Sequence, residues 1–341
     1  MLIKTSIHRI GALALILALI GVPSRLTAQG GGEDAFLTFP LGARAIGMGR
    51  AYTGISDDIQ SIVWNPAGIA LLDRMEVSYS RLESFKFEGL NGTSGINDNL
   101  ISLGFPTEKY GSFGLSLEIQ NYGETVLTDD SGNLLGVQND RGYIFYGTYA
   151  TSIFDKLDIG LDFKYLRVSF AGLEGTQRRG STSAIDIGGL YRPLRNVPLQ
   201  LGVAFRNLGF ALQFEDEYQK DPLPRRLVIG AGYDLLQHLI GSDQLSLLIS
   251  TDVKLRRVNY TDEEGRRITN IQSYNYFGTE FGFNRMLFLR AGYIAEPKEF
   301  HTSGGTFGIG LNYGGIMFDL AREVNVSELG DETHVTAGYH F

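Results

Sequence analysis

The residues able to do chemistry are few and poorly spaced for it. Beyond residue 28 the histidines are His238, His301, His334 and His340, and no two have the i, i+4 spacing that sets two imidazoles on one helical face around zinc. Neither a G-x-S-x-G nucleophile elbow nor a complete G-x-G-x-x-G occurs: Gly47 and Gly49 lead to Tyr52, and Gly308 and Gly310 lead to Tyr313. The acidic run Thr261, Asp262, Glu263, Glu264, Gly265 lacks the alternating oxygen ligands of a calcium loop and reads as solvated surface. With no cysteine there is no thiol chemistry, disulfide framework or lipid-anchored N-terminal Cys. These absences predict a protein with no catalytic residue, no metal and no cofactor.

One segment is distinctive for another reason. Residues 29–73 do not alternate and carry Gly42, Gly47, Gly49 and Gly54, the acids Asp57 and Asp58, and the run Trp64, Asn65, Pro66, Ala67, Gly68. Asn65-Pro66 reads as a turn in which the amide side chain caps neighbouring backbone and the proline fixes chain direction. Phe36, Phe39, Ile46, Met48, Tyr52, Ile62 and Trp64 require burial, which a loose tail would not provide. Arg44 and Arg50 are candidates to pair with Asp57 and Asp58, or with Asp158, Asp162 and Asp186 farther along, as neutral packing inside a larger structure.

That larger structure is written in period two from Met75 onward. Blocks such as Phe113, Leu115, Leu117, Ile119 and Ile159, Leu161, Phe163, Tyr165 recur about fourteen times, with Ser, Gly, Glu and Asp between their members. An even set of strands near the ~10 residues of a tilted membrane crossing predicts a closed antiparallel transmembrane β-barrel, an all-β outer-membrane fold. Connections alternate in length: brief links near Glu108 and Lys109 and at 154–156, 284–286 and 314–315, and longer polar loops at 84–99, 125–140, 172–181, 213–224, 259–272 and 296–304. The aromatics Tyr143, Phe145, Tyr146, Tyr149 and Phe154 suit a lipid interface. The chain ends on the alternating Val335, Ala337, Tyr339 and Phe341, which resembles the strand read by the outer-membrane assembly machinery.

Export is predicted at the start. Lys4 and Arg9 precede an apolar run of 13 residues from Ile10 to Val22, too short for a membrane helix, and small residues end at Ala28, so residues 1–28 read as a cleaved signal peptide. Cleavage would remove three bases and no acid, taking the net charge from −8 to −11 and excluding nucleic acid as a partner. Glycine, at 44 of 341 residues, indicates crowded strands.

The stretch FLTFPLGARAIGMGRAYTGISDDIQSIVWNPAGIALL, through GARAIGMG, Ser56-Asp57-Asp58 and WNPAG, resembles the N-terminal hatch of the FadL-like outer-membrane barrels, most closely the PorV/PorQ family. The resemblance implies a plug at 29–73 and a fourteen-stranded barrel at 74–341, in the bacterial outer membrane. It also implies a role in type IX protein secretion or surface attachment, with secreted cargo and secretion-system subunits as partners beside membrane lipid. The alternative that it implies is a FadL-like transporter of long-chain fatty acids or other hydrophobic small molecules. A structural member with neither role is a third reading.

Overall fold

Strand β5 (Leu157–Ala171) shows how the sequence builds the wall. Ile159, Leu161, Phe163 and Tyr165 point outward and are each 40–48 % exposed, while Asp158, Gly160, Asp162, Lys164 and Leu166 between them are buried. A side-chain period of two sends apolar groups to lipid and polar ones to the lumen, the reverse of a soluble core. The computed structural model describes residues 41–83, 96–129, 131–171, 177–194, 197–214, 220–242, 244–261, 266–295, 303–326 and 331–341. The segment 1–28, part of 29–73, His301, and most of the Thr261–Gly265 run lie outside them.

The strands that follow one another in sequence pair antiparallel. β1 (Glu76–Glu83), β2 (Asn97–Thr107), β3 (Gly111–Thr128), β4 (Leu134–Ile153), β5, β6 (Gln177–Tyr191) and β7 (Leu199–Gly209) form the first half. A small hairpin, β8 (Leu212–Phe214) and β9 (Lys220–Asp221), rests on β6. β10 (Arg226–Asp234), β11 (Leu245–Thr261), β12 (Arg267–Phe283), β13 (Leu287–Ala295), β14 (Gly304–Tyr313), β15 (Ile316–Val324) and β16 (Glu332–His340) complete the wall. β16 pairs with β1 from Glu76↔His340 to Glu83↔Thr333, so the sheet closes as a barrel of fourteen strands. Closure leaves no edge, a requirement in a solvent without hydrogen-bonding groups.

Links at one end are tight. Gly314 and Gly315 join β14 to β15 with φ 61° and 85°, the paired positive dihedrals of a two-residue hairpin turn. The link from β10 to β11 holds a short helix, Leu235–Ile240, capped by the Asp234 side chain and ended by left-handed Gly241; it exposes Leu239 and Ile240. This end also carries Phe341, and short turns mark it as the periplasmic side.

The opposite end differs from the sequence expectation. Much of 125–140 and 259–272 is ladder rather than loop: β3 and β4 run for 18 and 20 residues and stay paired to Thr128↔Leu134, and β11 stays paired with β12 to Thr261↔Arg267. Polar residues on both faces removed the alternation by which a strand is recognised, although backbone pairing needs none. These strands exceed the ~10 residues of a crossing, so their hairpins project beyond the outer surface. Asp129 caps the β3–β4 tip by accepting from Ser131 N at 2.9 Å and Asn133 N at 2.8 Å, and hydrogen bonds led by the Asn133 side chain hold its carboxyl below the usual range.

Tyr146 is a second correction. It is buried in the lumen, its hydroxyl donating to Glu118, because it sits one residue out of phase with outward Tyr143, Phe145 and Tyr149.

Candidate functional site

Residues 41–72 precede the wall and occupy the lumen. They form helix α1 (Ala43–Gly47), helix α2 (Ser61–Trp64) and a 3-10 helix (Pro66–Leu71). Such short helices do not persist alone; the wall holds them. Leu41, Ile46, Met48, Ile59, Ile62 and Ile69 are at most 1 % exposed and share a core with the lumen-facing Leu100, Ile144 and Leu166.

The Trp64–Gly68 run is the joint of this plug. Asn65 ends α2 and caps the 3-10 helix: its Oδ1 accepts from Ala67 N at 3.3 Å, and its Nδ2 donates to Thr53 O at 2.9 Å and Gly189 O at 3.2 Å. The last bond ties the turn to strand β6. Pro66 begins the 3-10 helix, where a missing N–H costs nothing. Trp64 Nε1 donates to Leu41 O at 2.8 Å, and its ring meets Tyr52 edge-on at 6.1 Å. Gly68 packs against Ser61 and the Ser56 carbonyl with no room for a Cβ.

Much of the glycine excess belongs to the seat of this plug. A Cβ on Gly188 would strike Asn65 Oδ1, one on Gly160 the Pro66 and Ala67 backbone, and one on Gly278 the Met48 carbonyl. Wall and plug touch backbone to backbone.

Polar side chains fasten the plug from several sides. Asp252 on β11 accepts from Tyr52 N at 3.1 Å and Thr53 N at 2.7 Å. Thr306 on β14 accepts from Gly49 N at 3.0 Å, Thr336 on β16 from Ala43 N at 3.0 Å, and Glu76 on β1 from Ile59 N at 3.1 Å. Arg44 joins Asp57, Asp58 at 3.0 Å and Glu280 at 3.1 Å, while Arg290 joins the same Glu280 at 2.6 Å and Asp319. Arg50 grips Glu323 through two bonds of 2.9 and 2.7 Å. The expected pairing of Arg44 with Asp57 and Asp58 is present. Asp158, Asp162 and Asp186 have other company: Arg192 pairs with Asp158, Thr148 donates to Asp162, and Lys164 contacts Asp186 at 2.6 Å. The partners Glu280 and Glu323 lie 236 and 273 residues from their arginines, beyond any sequence spacing rule.

Lys164 also donates to Asn207 Oδ1 at 3.0 Å, where β7 bulges: Asn207 has φ 61°, its N–H donates to Asp186 at 2.7 Å and its side chain to Pro224 O at 3.0 Å. The bulge is thus filled by polar groups that satisfy one another.

Below the plug a cavity of about 1240 Å³ opens toward the periplasmic turns, with Arg44, Asp57, Asp58, Glu280, Arg290 and Asp319 in its walls. Apolar side chains share the lining, among them Ile55, Leu199, Leu248, Phe288 and Met317, so the chamber is of mixed character.

A closed fourteen-stranded barrel with a lumenal N-terminal plug and a lipid-facing apolar wall is an outer-membrane protein of the FadL-like fold. Solved structures share it: the toluene transporter TbuX of Ralstonia pickettii at 14 % identity over 88 % of this chain and 98 % of that one, TM-score 0.57, and a FadL homologue of Pseudomonas aeruginosa at 14 % identity over 90 % and 100 %, TM-score 0.53. The monoaromatic hydrocarbon channel CymD is similar at 13 % identity, 90 % and 99 % coverage and TM-score 0.57. The sequence profile of the type IX secretion system protein PorV matches residues 32–254, and the chain belongs to that family. No curated protein sequence matches it.

Proposed function

We propose that this PorV-family barrel serves type IX protein export to, or attachment at, the cell surface. It acts through its outer face with a fixed plug in its lumen, and without a catalytic step or cofactor. The supporting observation is a lumen occupied by a plug that Glu76, Asp252, Thr306, Thr336 and Glu323 all hold. What remains accessible to a large partner is the projecting surface. There the β3–β4 hairpin exposes Val126, Leu134, Leu135 and Val137, each by 54–66 %. Secreted cargo proteins and secretion-system subunits are the partners of this reading. The ion pairs from Arg44 and Arg50 of the plug to Glu280 and Glu323 of the wall favour it over uptake of fatty acids or other hydrophobic molecules, which would have to pass the plug.

Removing residues 124–139 and closing the ladder with a two-residue Asn-Gly turn should leave a heat-modifiable barrel and lower surface delivery of secreted cargo several-fold. Undiminished delivery, or loss of fatty-acid uptake instead, would contradict the proposal.

Two further assignments belong to this reading. Residues 1–28 are a cleaved export signal, with the hatch spanning 29–73 and the barrel 74–341. Val335, Ala337, Tyr339 and Phe341, which share the outward face of the closing strand, are the signal read by the assembly machinery; Tyr339 and Phe341 stack edge to face at 5.0 Å. Phe341→Ser should therefore reduce the folded protein in the outer membrane several-fold, measured as heat-modifiable band against total chain. Normal accumulation would refute the assignment.

A further inference from the structure

Near the outer end of the barrel, Glu323 on β15 lies directly opposite Glu332 on β16, and His334 follows two residues after Glu332 on the same lumenal face. Two carboxylates facing each other across a ladder repel unless a cation lies between them. Arg50 supplies one to Glu323. Glu332 has the His334 ring beside it, with Nε2 3.8 Å from Oε2, too far for a hydrogen bond. His334 is 1 % exposed, and neither of its ring nitrogens is hydrogen-bonded. A buried imidazole with both nitrogens unsatisfied is costly and calls for a partner.

One oxygen of each glutamate and a nitrogen of His334 lie within 4.8 Å of one another. Around a tetrahedral ion with ligands at ~2.1 Å, neighbouring ligand atoms stand about 3.4 Å apart. The 3.8 Å gap between imidazole and carboxylate therefore matches two ligands on either side of one ion, with small side-chain adjustment. We propose that Glu323, Glu332 and His334 form a divalent transition-metal site of the zinc class at the outer rim of the lumen. The imidazole selects against calcium and magnesium, which take oxygen ligands throughout. The Glu332 side chain, 12 % exposed, gives the ion an entry, and a fourth position is left for water. Each oxygen of Glu323 has a second lone pair, so the carboxylate can hold Arg50 and the ion together, which joins the metal to the plug.

The initial expectation of no metal rested on helical spacing. On strands the relevant signal is i, i+2 on one chain plus a residue across the ladder, and the cross-strand partner cannot be named until the register is known.

The test is equilibrium dialysis of the full-length barrel, without a histidine tag and stripped with chelator, against Zn²⁺ and separately Ca²⁺. The expected result is one saturable Zn²⁺ per barrel and no competing Ca²⁺. Loss of a direct ligand, in His334→Ala or in the isosteric Glu332→Gln, should weaken zinc by at least the roughly 10–100-fold seen for outer-shell partners. His340→Ala, at the periplasmic end, should bind as wild type. Heat-modifiable migration confirms folding, and Glu332→Gln carries the test if His334→Ala does not assemble. Absence of saturable Zn²⁺ binding, or wild-type zinc affinity in a folded ligand variant, overturns the site.

Discussion

Arg44→Ala is expected to loosen the plug while the barrel still assembles. The substitution takes the guanidinium away from Asp57 and Asp58, leaves Glu280 to Arg290, and cuts the ionic path from plug to β12. Breaking a buried ion pair costs about 3–5 kcal/mol. Because this arginine is 15 % exposed beside the open cavity, water recovers part of that, and a loss of about 2–3 kcal/mol is expected for plug opening. Strand pairing does not depend on Arg44, so the barrel ladder should persist. Hydrogen exchange should show faster amides in 43–64 and unchanged amides in β1–β16. Uniform acceleration in both would mean that plug and wall unfold as one unit.

Gly160→Val should have an effect of similar size through sterics rather than charge. Its Cβ meets the Pro66 and Ala67 backbone, which cannot rotate aside, so plug or strand must shift. Overpacking commonly costs about 1–3 kcal/mol, and with backbone as the obstacle about 3 kcal/mol is expected. Gly147→Val is the matched control. Gly147 lies on the adjacent strand β4 and its Cβ meets only the Phe145 ring at 3.7 Å, so a change within about 0.5 kcal/mol is expected, as at ordinary surface sites. Denaturant midpoints of the two folded variants in the same detergent provide the comparison. Equal midpoints would show that the plug does not press on β5.

The contrast between these glycines explains what sequence could disclose. The alternation of Ile159, Leu161, Phe163 and Tyr165 reports a strand with one lipid face, and repeated about fourteen times it specifies a barrel, since a membrane admits no open sheet. The Asn65-Pro66 turn was legible because capping and proline geometry are local. Which glycines seat the plug was legible only as far as the face: Gly147 is in phase with outward Phe145 and Tyr149 and Gly160 with lumenal Asp158 and Asp162, but that Gly160 meets plug backbone depends on the path of the plug. Arg50 with Glu323, and Glu323 with Glu332 and His334, likewise meet through closure of the barrel. The outer ends of β3 and β4 were read as loops because hydrophobic period marks burial in lipid, and that part of the ladder stands outside it.

The most direct test of the central claim is mild-detergent purification of the protein from its native membrane, with mass spectrometry of co-purifying proteins and of extracted small molecules. An export barrel with a fixed plug should carry secretion-system subunits or secreted proteins that share an export domain, and no stoichiometric apolar ligand. Recovery of a stoichiometric fatty acid or similar molecule with no protein partner would contradict the account and establish uptake through the barrel in its place.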